Sequence, residues 1–139
     1  MKGKIAWSAV FAASLLPMLL HQYGGARGVQ EISGLINLYN PLAVVSVLLF
    51  FIGIWVPFRG RAVGHALSGV GVCGVVAAEL YTFLTWHIRT ITGEISLRHS
   101  VRLAFPEFYV GLAVSLCMAA AYLIFLLRTR DRKICSKNF

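Results

Sequence analysis

Residues 62–86 read AVGHALSGVGVCGVVAAELYTFLTW. The stretch is 25 residues long and holds no Lys, Arg or Asp; His65 and Glu79 interrupt it. A bilayer hydrocarbon core of about 30 Å takes about 20 residues of helix. The run therefore has the length and apolarity to cross a membrane. In lipid every backbone polar group must be satisfied within the fold, which leaves helices or a closed barrel. The apolar residues are continuous rather than alternating, so the spacing predicts a helix.

Three further runs flank it. Ile5–Leu20 and Leu42–Phe58 carry no charge, and Phe105–Leu127 carries Glu107 near its start. Across all 139 residues, 58% are hydrophobic, 13% are charged, and mean hydropathy is +0.76. Soluble domains carry roughly a quarter charged residues, so this composition excludes a soluble monomer, a disordered chain and a coiled coil. The expected fold is an all-α integral membrane protein with four transmembrane helices in an antiparallel bundle. It forms one domain over residues 1–139, with a basic cytoplasmic tail at 128–139. No internal repeat or low-complexity segment is evident.

Charge placement predicts orientation. Lys2, Lys4, Arg59, Arg61 and five residues of the tail (Arg128, Arg130, Arg132, Lys133, Lys137) fall on one side of a four-span arrangement, nine in all. The other side has Arg27, Arg89, Arg98 and Arg102, four in all. Positive charge collects in the cytoplasm, so both termini are expected there, in a multi-pass protein of a bacterial cytoplasmic membrane. The short linker around Arg59 and Arg61 makes spans two and three an antiparallel hairpin with a basic turn. Lys2 and Lys4 before Ile5–Leu20 also resemble a signal peptide, but no Ala-x-Ala site follows. The segment is expected to stay as an anchor.

Glu79 is the candidate intramembrane polar site. A carboxylate within a span costs roughly 2.5–3.5 kcal/mol on insertion scales, and such residues face the bundle interior. Counted from the span ends, Ser14, Ser46, Tyr109 and Ser115 lie at matching depth. The expectation is a neutral Glu79 hydrogen-bonded to at least one of them. On that basis Glu79→Gln leaves the fold intact and Glu79→Leu destabilises it. His65 shares the face of Glu79, about 40° away around the helix, but lies about 21 Å along it. It reads as an interfacial residue. Gly60, Gly64, Ser68 and Gly71 form the candidate helix-packing face, because small residues let helices approach closely in lipid.

In the first outer loop, Val29, Ile32, Leu35 and Ile36 recur at helical spacing and predict a short amphipathic helix on the outer leaflet or over the bundle. Asn40-Pro41 marks the turn into span two. In the second, His87, Glu94 and His99 lack the pairing of a metal site. Cys73, Cys117 and Cys135 form no CxxC and no disulfide framework. No nucleophile motif or phosphate loop is present. No catalytic residue, cofactor, metal or nucleic-acid partner is expected. The expected role is non-enzymatic: an accessory, regulatory or immunity-type factor acting through helix–helix contacts. Its partners are the lipid bilayer and another membrane protein or a second copy. The alternative is a small transporter, channel subunit or holin-like pore former using Glu79.

Overall fold

The structure, a computed structural model, describes residues 1–20, 22–23, 32–85 and 106–135. Among the described residues four α-helices dominate: α1 (Lys2–Leu20), α2 (Pro41–Trp55), α3 (Arg61–Thr82) and α4 (Pro106–Cys135). A 3-10 helix, Gly34–Tyr39, leads into α2, and Gln22–Tyr23 pairs antiparallel with Ile32–Ser33.

Three helical stretches among these residues are long and apolar enough to cross a membrane: Lys2–Leu20, Ala62–Thr85 and Pro106–Thr129. Helices of this kind suggest a membrane protein. The second predicted span is shorter than expected. α2 has 15 residues, about 22 Å at 1.5 Å per residue. It ends at Val56, whose extended backbone precedes Pro57; a residue before proline is pushed out of the helical region. α4 departs in the other direction. The chain does not leave the helix at Leu127 but continues helically through the basic segment to Cys135. Arg and Lys are good helix formers, and no Gly or Pro interrupts residues 128–135.

Contacts run in opposite order along neighbouring helices. Between α2 and α3, Asn40 meets Thr82, Ser46 meets Gly74, Phe50 meets Gly71, and Gly53 meets Gly64 and Ser68. Between α3 and α4, Phe83 stacks on Phe108 (ring centroids 4.4 Å) and Tyr122 donates to the Ser68 hydroxyl (2.9 Å). Between α1 and α2, Trp55 donates to Ser8 (3.0 Å) and Phe11 stacks on Phe50 (3.8 Å). The core is aromatic at its centre, where Phe11, Phe50 and Tyr122 are almost fully enclosed.

The α2–α3 seam explains the small residues of α3. A Cβ built at Gly71 would lie 2.5 Å from the Phe50 amide nitrogen and 2.6 Å from the Ser46 carbonyl oxygen. One at Gly64 would lie 2.7 Å from the Gly53 carbonyl oxygen, and one at Gly74 would overlap the Ser46 hydroxyl. In lipid, close packing has to hold helices together, since burial from water contributes little. Ser68 belongs to the same face and bonds back to the Gly64 carbonyl (2.8 Å). Gly60 does not. A Cβ there would meet only Val63 at 4.0 Å, because Gly60 sits at the helix start, before α3 comes against α2. Gly53 on α2 completes the seam.

Candidate functional site

Glu79 lies in the last third of α3 and is fully enclosed, 0% exposed. Of the four hydroxyls expected around it, Ser14 donates to the Phe11 carbonyl (2.7 Å) and Ser46 to the Leu42 carbonyl (2.6 Å). Both satisfy themselves on their own helices, as helical Ser readily does three or four residues back. Tyr109 is exposed on α4. Ser115 is buried on α4 and lies against Glu79. Yet both carboxyl oxygens of Glu79 and the Ser115 hydroxyl have no hydrogen-bond partner among the described residues. Of the four hydroxyls expected around Glu79, Ser115 alone stands beside it, so the expected contact forms at one place, without a hydrogen bond of good geometry among the described residues.

One turn further along α3 sits a polar cluster that sequence reasoning misses. Thr82 donates to Asn37 Oδ1 (2.7 Å) and accepts from Asn40 Nδ2 (3.0 Å). Asn40 Nδ2 also reaches the Ala78 carbonyl (3.3 Å), and Asn37 Nδ2 the Gly34 carbonyl (2.9 Å). Asn37, Asn40 and Thr82 are all buried. Asn40 serves the backbone as well. Its Oδ1 accepts from the Leu42 amide (3.0 Å), capping α2 with Pro41 in the first turn. The capping pattern Asn-Pro carries the signal for that half of the side chain. The other half is not readable from the pattern, because its partner lies 42 residues away.

The 3-10 helix corrects the amphipathic-helix expectation. Residues 24–31 lie outside the described residues. Within Gly34–Tyr39, buried Asn37 points into the bundle while Leu35, Leu38 and Tyr39 face outward, 50–87% exposed. The polar residue faces in because Thr82 offers it a hydrogen bond. The apolar residues face away from the bundle, the arrangement that an interfacial element would need. His87, Glu94 and His99 also lie outside the described residues. At the opposite end of the bundle, Lys4, Trp7, Phe58, His65, Tyr122 and Phe125 line an open cleft of about 760 Å³. His65 is thus far from Glu79, as its helical spacing required.

The dual use of Asn40 yields a prediction. Asn40→Ala removes a helix cap, about 0.5–2 kcal/mol, and leaves the buried Thr82 short of a partner, about 1 kcal/mol more. Asn40→Ser keeps the cap and loses only the cross-helix donor. Denaturant unfolding in detergent is expected to rank the two, with Ala roughly twice as costly as Ser. Equal losses would show that the bonds from Asn40 to α3 contribute nothing.

Comparison with known proteins returned no match to a family model, a curated protein or a solved structure.

Proposed function

We propose that the chain is a four-span protein of a cell membrane with both termini cytoplasmic, and that it acts as a non-enzymatic accessory or regulatory factor through helix–helix contacts. α2 supports the fourth crossing despite its length: its partners extend along α3 from Gly64 to Thr82, so α2 accompanies α3 across. A short apolar helix is accommodated by local thinning of the bilayer. The nine-to-four charge asymmetry supports the orientation. A reporter fused after Phe139 is expected to behave as cytoplasmic; periplasmic phosphatase activity there would overturn the topology.

The observation that carries the contact role is on α4. Ala113, Cys117 and Ala121, at four-residue spacing, are exposed, and so is Ala120. Gly64, Ser68, Gly71 and Gly74 of α3 are consumed by the seam with α2, whereas these small residues of α4 are left open to an approaching helix. The Cys117 thiol is free and exposed. Oxidative cross-linking in native membranes is expected to trap Cys117 to a second copy or to a partner's cysteine, in a product lost in Cys117→Ala. A chain that stays monomeric and uncrosslinked under conditions that oxidise its exposed thiols argues against contacts through this face.

The alternative, a transporter or channel subunit, draws support from one observation: the unpaired oxygens at Glu79.

A further inference from the structure

We propose that Glu79 and Ser115 form a proton-binding site inside the helix bundle, open to exchange only from the end that Asn37 caps. The inference rests on Glu79 and its surroundings and does not depend on the contact role proposed for α4.

The first support is the absence of a counter-charge. An ionised carboxylate buried among apolar helices is very costly unless paired. Ile5–Leu20 of α1 and all of α2 contain no charged residue. Lys4, His65 and Arg128 belong to the opposite end of the bundle. On α3 Tyr81 is exposed, on the 3-10 helix Tyr39 is exposed, and on α4 Glu107 and Tyr109 are exposed near its start. The Tyr122 hydroxyl is engaged with Ser68. Among the described residues, then, no cation faces Glu79. Within these residues a bound proton is the species left to neutralise it.

The second support is the asymmetry of the surroundings. One turn above Glu79, the buried cluster Asn37–Thr82–Asn40 gives a run of polar side chains to the 3-10 helix, whose far side is exposed. Polar groups in such a chain can hold bridging water. Below Glu79 the bundle is closed by aromatic packing: Phe11 on Phe50 at 3.8 Å, and Phe50 on Tyr122 at 5.3 Å. Such packing offers a proton no partner. The site is blind-ended. It can report the pH on one side of the membrane but cannot pass protons through. That property separates it from the residue of a pore or a coupled carrier, which must open to both sides.

Infrared difference spectroscopy on the full chain in phosphatidylcholine vesicles tests this. The expected result is a carboxylic-acid C=O band that is absent from Glu79→Gln, shifts in D2O, and fades as the pH is raised. No Glu79-dependent band at any pH at which the protein stays helical would overturn the proposal, since the carboxyl would then be held by a cation. A band that neither shifts in D2O nor titrates would overturn it too, marking a sealed acid. The path is tested by Asn37→Leu. D2O exchange of the band is expected to slow roughly tenfold, about what loss of one hydrogen-bonding partner gives. Unchanged exchange in a variant of normal helix content would refute entry past Asn37. If that variant does not fold, the wild-type D2O shift and titration still decide the site.

Discussion

Gly71→Ala is expected to cost about 3 kcal/mol or more, an unusually large effect for one methyl group in a helix. In an ordinary helix the same change is favourable by about 1 kcal/mol. Here the added Cβ would meet backbone, 2.5 Å from the Phe50 nitrogen and 2.9 Å from its Cα. A flexible side chain can rotate away from such a contact, whereas the main chain of a packed helix can only be displaced. Overpacking of this kind typically costs about 1–3 kcal/mol, occasionally more. Separating α2 from α3 also opens the register that places Asn40 against Thr82 and Ser46 against Gly74. Gly69, two residues away, is the control. A Cβ there would lie 3.4 Å from Leu126 Cδ1, an ordinary contact with the end of a side chain. Gly69→Ala is therefore expected to be neutral or to gain up to about 1 kcal/mol. Unfolding by denaturant in mild detergent reads both. Similar stabilities for the two variants would mean that the α2–α3 seam is looser than the structure shows.

The second large effect is at Glu79, and its sign reverses the expectation drawn from sequence. A hydrogen-bonded anchor would make Glu79→Leu destabilising. With Ser115 alone beside it and no hydrogen bond of good geometry completed at either carboxyl oxygen among the described residues, the leucine replaces a group that recovers little of the cost of its burial. Leaving a buried polar group unsatisfied costs about 1–3 kcal/mol. Glu79→Leu is accordingly expected to raise stability by about that amount. Glu79→Gln, which keeps the unpaired polarity, is expected to change it little. Ser115→Ala combined with Glu79→Leu should gain slightly more than Glu79→Leu alone. A loss of more than about 1 kcal/mol in Glu79→Leu would mean that the carboxyl has a partner after all. A gain in stability would be consistent with a buried polar group kept for a role outside the fold, in line with the proton-binding proposal. The same variant should then abolish any pH response of the protein while leaving it better folded.

Several elements are legible in the sequence because they depend on one residue at a time. Hydropathy summed along Ala62–Trp86 and Phe105–Leu127 is a local quantity, and backbone hydrogen bonding in lipid turns such runs into helices whatever surrounds them. Both helices form where the runs lie. Asn40-Pro41 announces the start of α2 for the same reason, since capping acts within a turn. Pro57 marks its end. That Glu79 faces inward also follows from the cost of exposing it to lipid.

What the tertiary structure alone decided concerns pairs of residues far apart in sequence. Gly60 and Gly64 have the same spacing on paper as Gly64 and Ser68, but only the latter lie where α2 passes. The height at which two helices meet is set by their relative rotation and translation, and no single-helix periodicity contains it. Asn37 looks like the polar face of a surface helix. It is instead buried, 1% exposed, because Thr82, on another helix, offers it a hydrogen bond. Counting residues from the span ends puts four hydroxyls near Glu79. Depth is only one of the coordinates a hydrogen bond needs, and the azimuth of each helix leaves Ser14 and Ser46 bonded to their own carbonyls. The sequence by itself determined that this protein builds apolar helices and carries an acid inside one of them. The packing of four helices against one another decided which glycines are indispensable and left that acid with Ser115 alone of the four expected hydroxyls beside it.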